Sequence, residues 1–226
     1  MLNRLTLRCL TAELVGTALL LAIVVGSGVM GDALSADDAV ALLGNTVATG
    51  AGLMVLILVF GPISGAHFNP VVTLSFWLRR EISLSLATAY VLVQIIGAFI
   101  GVWLAHGMFE LSIAQVSLKA RDGIGQGLGE ATATFALLLA ILGTVKRNPQ
   151  ATPYAVGLVI TAGYWFTSST SFANPAVTLA RSTTNTFAGI SPDNILLFIS
   201  AQIIGALTAT GFWYLMEDQE INHQSG

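Results

Sequence analysis

Apolar positions along this chain fall in long unbroken blocks. Five stretches carry few or no charges: 10–30 with only Glu13, 39–60, 84–105, 127–145 with only Glu130, and 194–216; residues 153–173 make a sixth. Each is close to the roughly 20 residues that a helix needs to cross the hydrocarbon of a bilayer, so the pattern predicts six membrane-spanning helices. The first block follows Arg4 and Arg8 like a signal peptide, but it is too long for such a segment's apolar region and five similar blocks follow it. It is read as a helix. Three spans per half is an odd number, so two similar halves must lie inverted in the membrane. Short repeats support this: "QIIGA" stands at 94–98 and again at 202–206, and Glu13/Thr17 is echoed by Glu130/Thr134. The chain is expected to form a single transmembrane domain over 1–226, with repeats of approximately 10–105 and 127–216.

Two polar interruptions resemble one another. "AHFNPVVTLSF" and "SFANPAVTLAR" put an Asn-Pro at 69–70 and again at 174–175. Asn is a preferred helix N-cap, and Pro suits the first helical position because its missing N–H has no intrahelical partner there. Each Asn-Pro therefore starts a helix, one from Pro70 to about Leu78, the other from Pro175 to about Arg181 or Ser182. Both are too short to span. Preceded by "GPISGAHF" and "TSSTSFA", they read as re-entrant loops with half-helices, which membranes tolerate where the backbone is buried in protein or lines a watery cavity. Half-helices entering from opposite faces meet start to start. Each start carries about half a positive charge, so the centre of such a pathway repels cations.

Composition sharpens the class. Hydrophobic residues make up 54% and charged residues 9%, with a mean hydropathy of +0.78, against about 25% charged in soluble domains. This is a membrane protein. The lone Cys9 excludes an intrachain disulfide and suggests no ligand cluster, and a net charge of −3 without a basic run gives no reason to expect nucleic acid. No catalytic, cofactor or metal-ligating constellation stands in the spans, so no enzyme, cofactor or metal is expected. Arg4, Arg8, Arg79, Arg80, Lys146 and Arg147 gather on the side of the N-terminus, while Lys119, Arg121 and Arg181 lie opposite with the acidic "GDALSADD". The bias puts both termini in the cytoplasm, in a multi-pass protein of the inner (plasma) membrane.

The segments "SGAHFNPVVT" (64–73) and "FANPAVT" (172–178), with Glu13, Glu130, Gln94 and Gln202, resemble the aquaporin family over nearly the whole chain. The resemblance implies an all-α fold of six transmembrane helices plus two re-entrant half-helices, a homotetramer with one pore per subunit, and passive transport of small neutral solutes. It places Asn69, Pro70, Val71, Asn174, Pro175 and Ala176 at the pore centre. It makes Glu13 and Glu130, with Gln94 and Gln202, supports of the two loops, the carboxylates accepting from loop N–H groups.

Departures from the family pattern are informative. Val71 replaces the usual Ala, a small change. Val177 stands where the family places its filter arginine, so the filter lacks its fixed charge. Carried over from the family at matching spacings, the resemblance also places Thr49 and Ser171 with Val177 in the ring; Tyr164 is the candidate from the fifth helix, with Ala162 or Gly163 as alternatives. Such a neutral, roomy ring suits polyols, urea-like molecules or metalloid hydroxides. Bacterial relatives associated with arsenic resistance have a similar arginine-free filter, which makes arsenite-like hydroxides the leading substrates by analogy. His67 offers the pore either its ring or only its carbonyl. Arg181, four residues beyond Val177, lies one turn outward on the same face; it either replaces the filter charge at the pore mouth or snorkels to the interface. A strict water channel, an ion-coupled transporter with inverted repeats and a structural membrane protein are the alternatives.

Overall fold

A computed structural model describes the backbone of residues 4–224 and the side chains of residues 4–217. The described chain is all-helical: α1 (Arg4–Leu34), α2 (Asp38–Ser64), α3 (Pro70–Leu78), α4 (Leu84–Met108), α5 (Ile124–Val145), α6 (Thr152–Phe166), α7 (Pro175–Arg181) and α8 (Ile195–Gln224), with a short 3-10 turn at Pro192–Asn194. Five of these are long and apolar enough to cross a membrane. The sixth, α6, has 15 residues, about 22 Å at 1.5 Å per residue. The expected span of 153–173 is therefore corrected: only its first part is helical, and residues 167–173 run on as irregular backbone to Asn174. A second correction concerns "GPIS". These residues form the last turn of α2, Pro62 included, and the re-entrant loop begins at Gly65. Gly65 caps that helix in the left-handed region, φ 87°, with its N–H on the Gly61 carbonyl, a conformation that costs glycine nothing.

The order of packing repeats. Helix α1 packs against α2 and α4, and α5 packs against α6 and α8. The pentamer "QIIGA" supplies the contact in both pairs. A methyl group on Gly97 of α4 would sit 2.4 Å from the Leu14 carbonyl oxygen of α1, and one on Gly205 of α8 would sit 2.3 Å from that of Ala131 in α5. Both crossings bring backbone against backbone, as small residues permit in membrane helices. Between the halves, α2 meets α6 where the same construction on Gly157 comes within 2.8 Å of the Gly50 carbonyl oxygen. The half-helices α3 and α7 fill the space these pairs enclose, each touching α4 and α8.

Candidate functional site

The two half-helices begin at one place. Asn69 Oδ1 accepts the Val71 N–H at 3.0 Å, and Asn174 Oδ1 accepts those of Ala176 at 3.0 Å and Val177 at 3.3 Å. Each side-chain amide then reaches across to the other loop. Asn69 Nδ2 donates to the Ala173 carbonyl and Asn174 Nδ2 to the Phe68 carbonyl, both at 2.8 Å. An amide nitrogen has two N–H groups, and among the described residues each Nδ2 makes one bond, so each keeps one donor. Both asparagines line the central cavity.

Behind the caps, the chain before each Asn is bent into the left-handed region at residues other than glycine: Ala66 and Phe68 at φ 50° and 49°, Ser171 and Ala173 at 52° and 48°. Such residues cost of order 1–3 kcal/mol each and persist only where the surroundings enforce them. A buried carboxylate does so in each half. Glu13 accepts the N–H groups of His67 (2.9 Å) and Phe68 (2.7 Å), the Ser64 hydroxyl (2.7 Å) and Gln94 Nε2 (2.8 Å). Glu130 accepts the N–H groups of Phe172 and Ala173, both at 2.8 Å, and Gln202 Nε2. Each glutamine donates its other N–H to a threonine of the half-helix, Gln94 to Thr73 at 3.0 Å and Gln202 to Thr178 at 2.8 Å.

The cavity, of about 90 Å³, runs along helix axes. Its wall is built from stripes spaced by four: Leu20 and Val24 of α1, Thr49, Leu53 and Ile57 of α2, Leu137, Ile141 and Val145 of α5, and Thr152, Val156, Ile160 and Tyr164 of α6. Four-residue spacing keeps side chains on one helical face, and 12 residues of α6 at 1.5 Å each carry the lumen about 18 Å. Thr49, Tyr164, Ser171 and Val177 all face it. The Tyr164 hydroxyl donates to Thr49 Oγ1 at 3.2 Å. Of the alternatives to Tyr164, Ala162 points outward and Gly163 backs onto Ser171. Pro70, Val71, Pro175 and Ala176 form the first turns and are not among the lining residues. The His67 ring lies in the wall, Nδ1 3.0 Å from Thr73 Oγ1 and its face against Phe76 at 4.6 Å between centroids.

Arg181 turns inward. It is 2% exposed, lines the cavity, donates through Nε to the Ala188 carbonyl, and stacks with its guanidinium carbon 3.4 Å from the Phe172 ring centroid. Among the described residues its two terminal nitrogens make no hydrogen bond. A second arginine escaped the sequence reading as part of this site: Arg121, from the α4–α5 loop, lies 4.9 Å from the same ring and donates to Gly189 (2.9 Å), Ser169 (3.3 Å) and Thr170 Oγ1 (3.4 Å). Burial lowers its pKa from the ordinary arginine value. Thr152 was also missed; it lines the opposite end of the lumen, and its hydroxyl is buried and has no partner among the described residues.

Comparison with known proteins agrees with this architecture. Residues 2–171 match the profile described as Major intrinsic protein. The chain is 51% identical over 223 residues to aquaglyceroporin AqpS of Rhizobium meliloti (strain 1021), covering 98% of this chain and 95% of the relative. It is 32% identical over 170 residues to human aquaporin-1, covering 70% and 63%. The crystal structure of the aquaglyceroporin from Plasmodium falciparum superposes with a TM-score of 0.70 at 24% identity, covering 92% and 95%, a likeness of fold. An all-helical bundle with two Asn-capped half-helices meeting at a lumen, matched over three quarters of its length by one family profile and nearly end to end by a relative, belongs to the major intrinsic protein family.

Proposed function

We propose that this protein is a passive channel for small uncharged solutes, glycerol-like polyols and metalloid hydroxides such as arsenite, together with water. The observation that carries the reading is the lumen passing two asparagines, each with one amide N–H left for a solute. Apolar stripes on the remaining walls give a permeant no strong binding site, so a solute is passed on rather than held. Thr49, Tyr164, Ser171 and Val177 form the selective ring, and Arg181 stands in for the missing filter arginine one turn outward. Glu13 and Glu130, engaged by loop N–H groups, serve as scaffolding; among the described residues this leaves no free carboxylate within the apolar blocks for ion coupling. The aquaglyceroporin name of the 51% identical relative points to the same solute class. The protein acts as a homotetramer in the inner (plasma) membrane with both termini cytoplasmic.

Two observations favour a strict water channel instead: the Tyr164–Thr49 hydrogen bond and the inward Arg181 both take up room at the outer end of the lumen. Stopped-flow light scattering on proteoliposomes, with water, glycerol and arsenite gradients, separates the two. Glycerol and arsenite uptake well above empty liposomes supports the wider channel, and water flux alone overturns it.

A further inference from the structure

Three consecutive carbonyls, those of residues 187–189, each accept from a different cation. Lys119 Nζ donates to Phe187 at 2.8 Å, Arg181 Nε to Ala188, and Arg121 Nε to Gly189 at 2.9 Å. Aromatic rings hold the same groups: Lys119 Nζ lies 4.4 Å from the Phe187 centroid, and both guanidinium groups stack on Phe172. The α4–α5 loop that delivers Lys119 and Arg121 is tied down by Ser117 N–H on the Ser182 carbonyl, Leu118 N–H on Asn185, and Arg121 N–H on Asn194. The cluster is a built feature.

Its charge is not cancelled. Carbonyls and ring faces orient cations without neutralising them, and among the described residues no carboxylate forms an ion pair with any of the three. Glu130, the carboxylate felt by both arginines, is engaged by the Phe172 and Ala173 N–H groups. Asp32, in the last turn of α1, and Asp38, the first residue of α2, act on Lys119 without bonding it. Like charges repel in a partly desolvated site; burial first, and then Arg121 and Arg181, lower the pKa of Lys119.

The geometry points to a binding site for a small oxyanion at this mouth of the lumen, held by Lys119, Arg121 and the terminal nitrogens of Arg181, which plugs the channel from that face. Its effect on flux rests on the channel reading; the binding itself does not. Arg181 presents an unpartnered planar fork into the cavity, the arrangement that suits two oxygens of a phosphate or carboxylate. Lys119 and Arg121 are half-buried and reachable from outside. An anion that enters stops there. Inward of the mouth the wall includes Leu20, Val24, Leu137, Ile141, Val156 and Ile160, and stripping a charge of water against such a surface is prohibitive.

Inorganic phosphate is the probe. Binding to the full-length protein in detergent is followed by 31P line broadening at constant ionic strength, and glycerol flux is followed in oriented proteoliposomes with phosphate added to one face. Saturable binding that sulfate displaces is expected, weakened at least tenfold in Arg121→Gln and severalfold in Lys119→Gln, which gives up the Nζ bond to Phe187 but keeps the backbone bonds that tie the loop down. Flux is expected to fall with phosphate on that face alone. Absence of saturable binding, equal binding in both variants, or phosphate crossing the bilayer would overturn the proposal. Vesicles without glycerol flux in phosphate-free buffer would count against the channel reading, while the line-broadening arm still decides the site.

Discussion

Glu130→Gln is the perturbation whose cost can be worked most fully from the geometry. The carboxylate accepts two backbone N–H groups and the Gln202 amide. A glutamine keeps one acceptor oxygen and replaces the other with an NH2 group, so at least one N–H of Phe172 or Ala173 faces a donor. Leaving one buried donor unsatisfied costs about 1–3 kcal/mol. The left-handed Ser171 and Ala173 then lose part of what enforces them, at about 1–3 kcal/mol each. A total of about 2–4 kcal/mol is expected, and a Tm lower by several degrees, at about 2–4 °C per kcal/mol for a chain of this length. Because Asn174 sits directly after this loop and donates to Phe68, relaxation reaches the opposite half too. Glu13→Gln and Glu130→Gln together should therefore be non-additive, with an interaction of about 0.5–3 kcal/mol. Intrinsic-fluorescence melting in detergent gives the stabilities, and stopped-flow glycerol uptake reports the lumen. A Glu130→Gln protein with unchanged Tm and unchanged uptake would refute the loop-clamp reasoning.

Other expectations concern separate parts of the site. Asn174→Leu removes the cap of α7 and the donor to Phe68, costing about 0.5–2 kcal/mol from the cap alone with a sharp fall in flux; normal uptake by a well-expressed variant would contradict it. Gly205→Leu forces a side chain onto the Ala131 carbonyl oxygen, which a Cβ alone would approach to 2.3 Å, so the α5–α8 crossing should open and the protein should fail to appear as a monodisperse peak in size-exclusion chromatography. Tyr164→Phe removes one hydroxyl bonded to Thr49 at about 0.5–1.5 kcal/mol, and the glycerol-to-water permeability ratio should rise.

Much of this organisation is legible in the sequence because its signals are local. Asn-Pro states where a half-helix begins, and both α3 and α7 start at the proline so marked. "QIIGA" is informative for a reason composition hides: its glutamine supports a carboxylate and its glycine lets two backbones touch. Residues 167–173 carried two readings, the end of an uncharged span and the loop before Asn174; the second holds, because Glu130 captures the N–H groups of Phe172 and Ala173. Arg181 left two readings open because its direction depends on Phe172 and Ala188, and no helical period encodes a loop carbonyl. Lys119 and Arg121 were visible only as charges on one side; their place on the carbonyls flanking the one that Arg181 uses comes from loop-to-loop hydrogen bonds with no spacing rule behind them.

The central claim is that solutes cross through the lumen past Val177, and Val177→Arg tests it most directly. A guanidinium on the α7 face that now carries a small apolar side chain fills space and adds a fixed charge in a weakly screened site. Water and glycerol permeability of the same proteoliposomes, measured by stopped flow and scaled to protein content, give one ratio. The expected result is retained water flux with glycerol, and arsenite where tested, falling at least tenfold relative to water. An unchanged ratio in a folded, inserted Val177→Arg protein would mean that Val177 is not at the constriction, and the ring of Thr49, Tyr164, Ser171 and Val177 would fall with it.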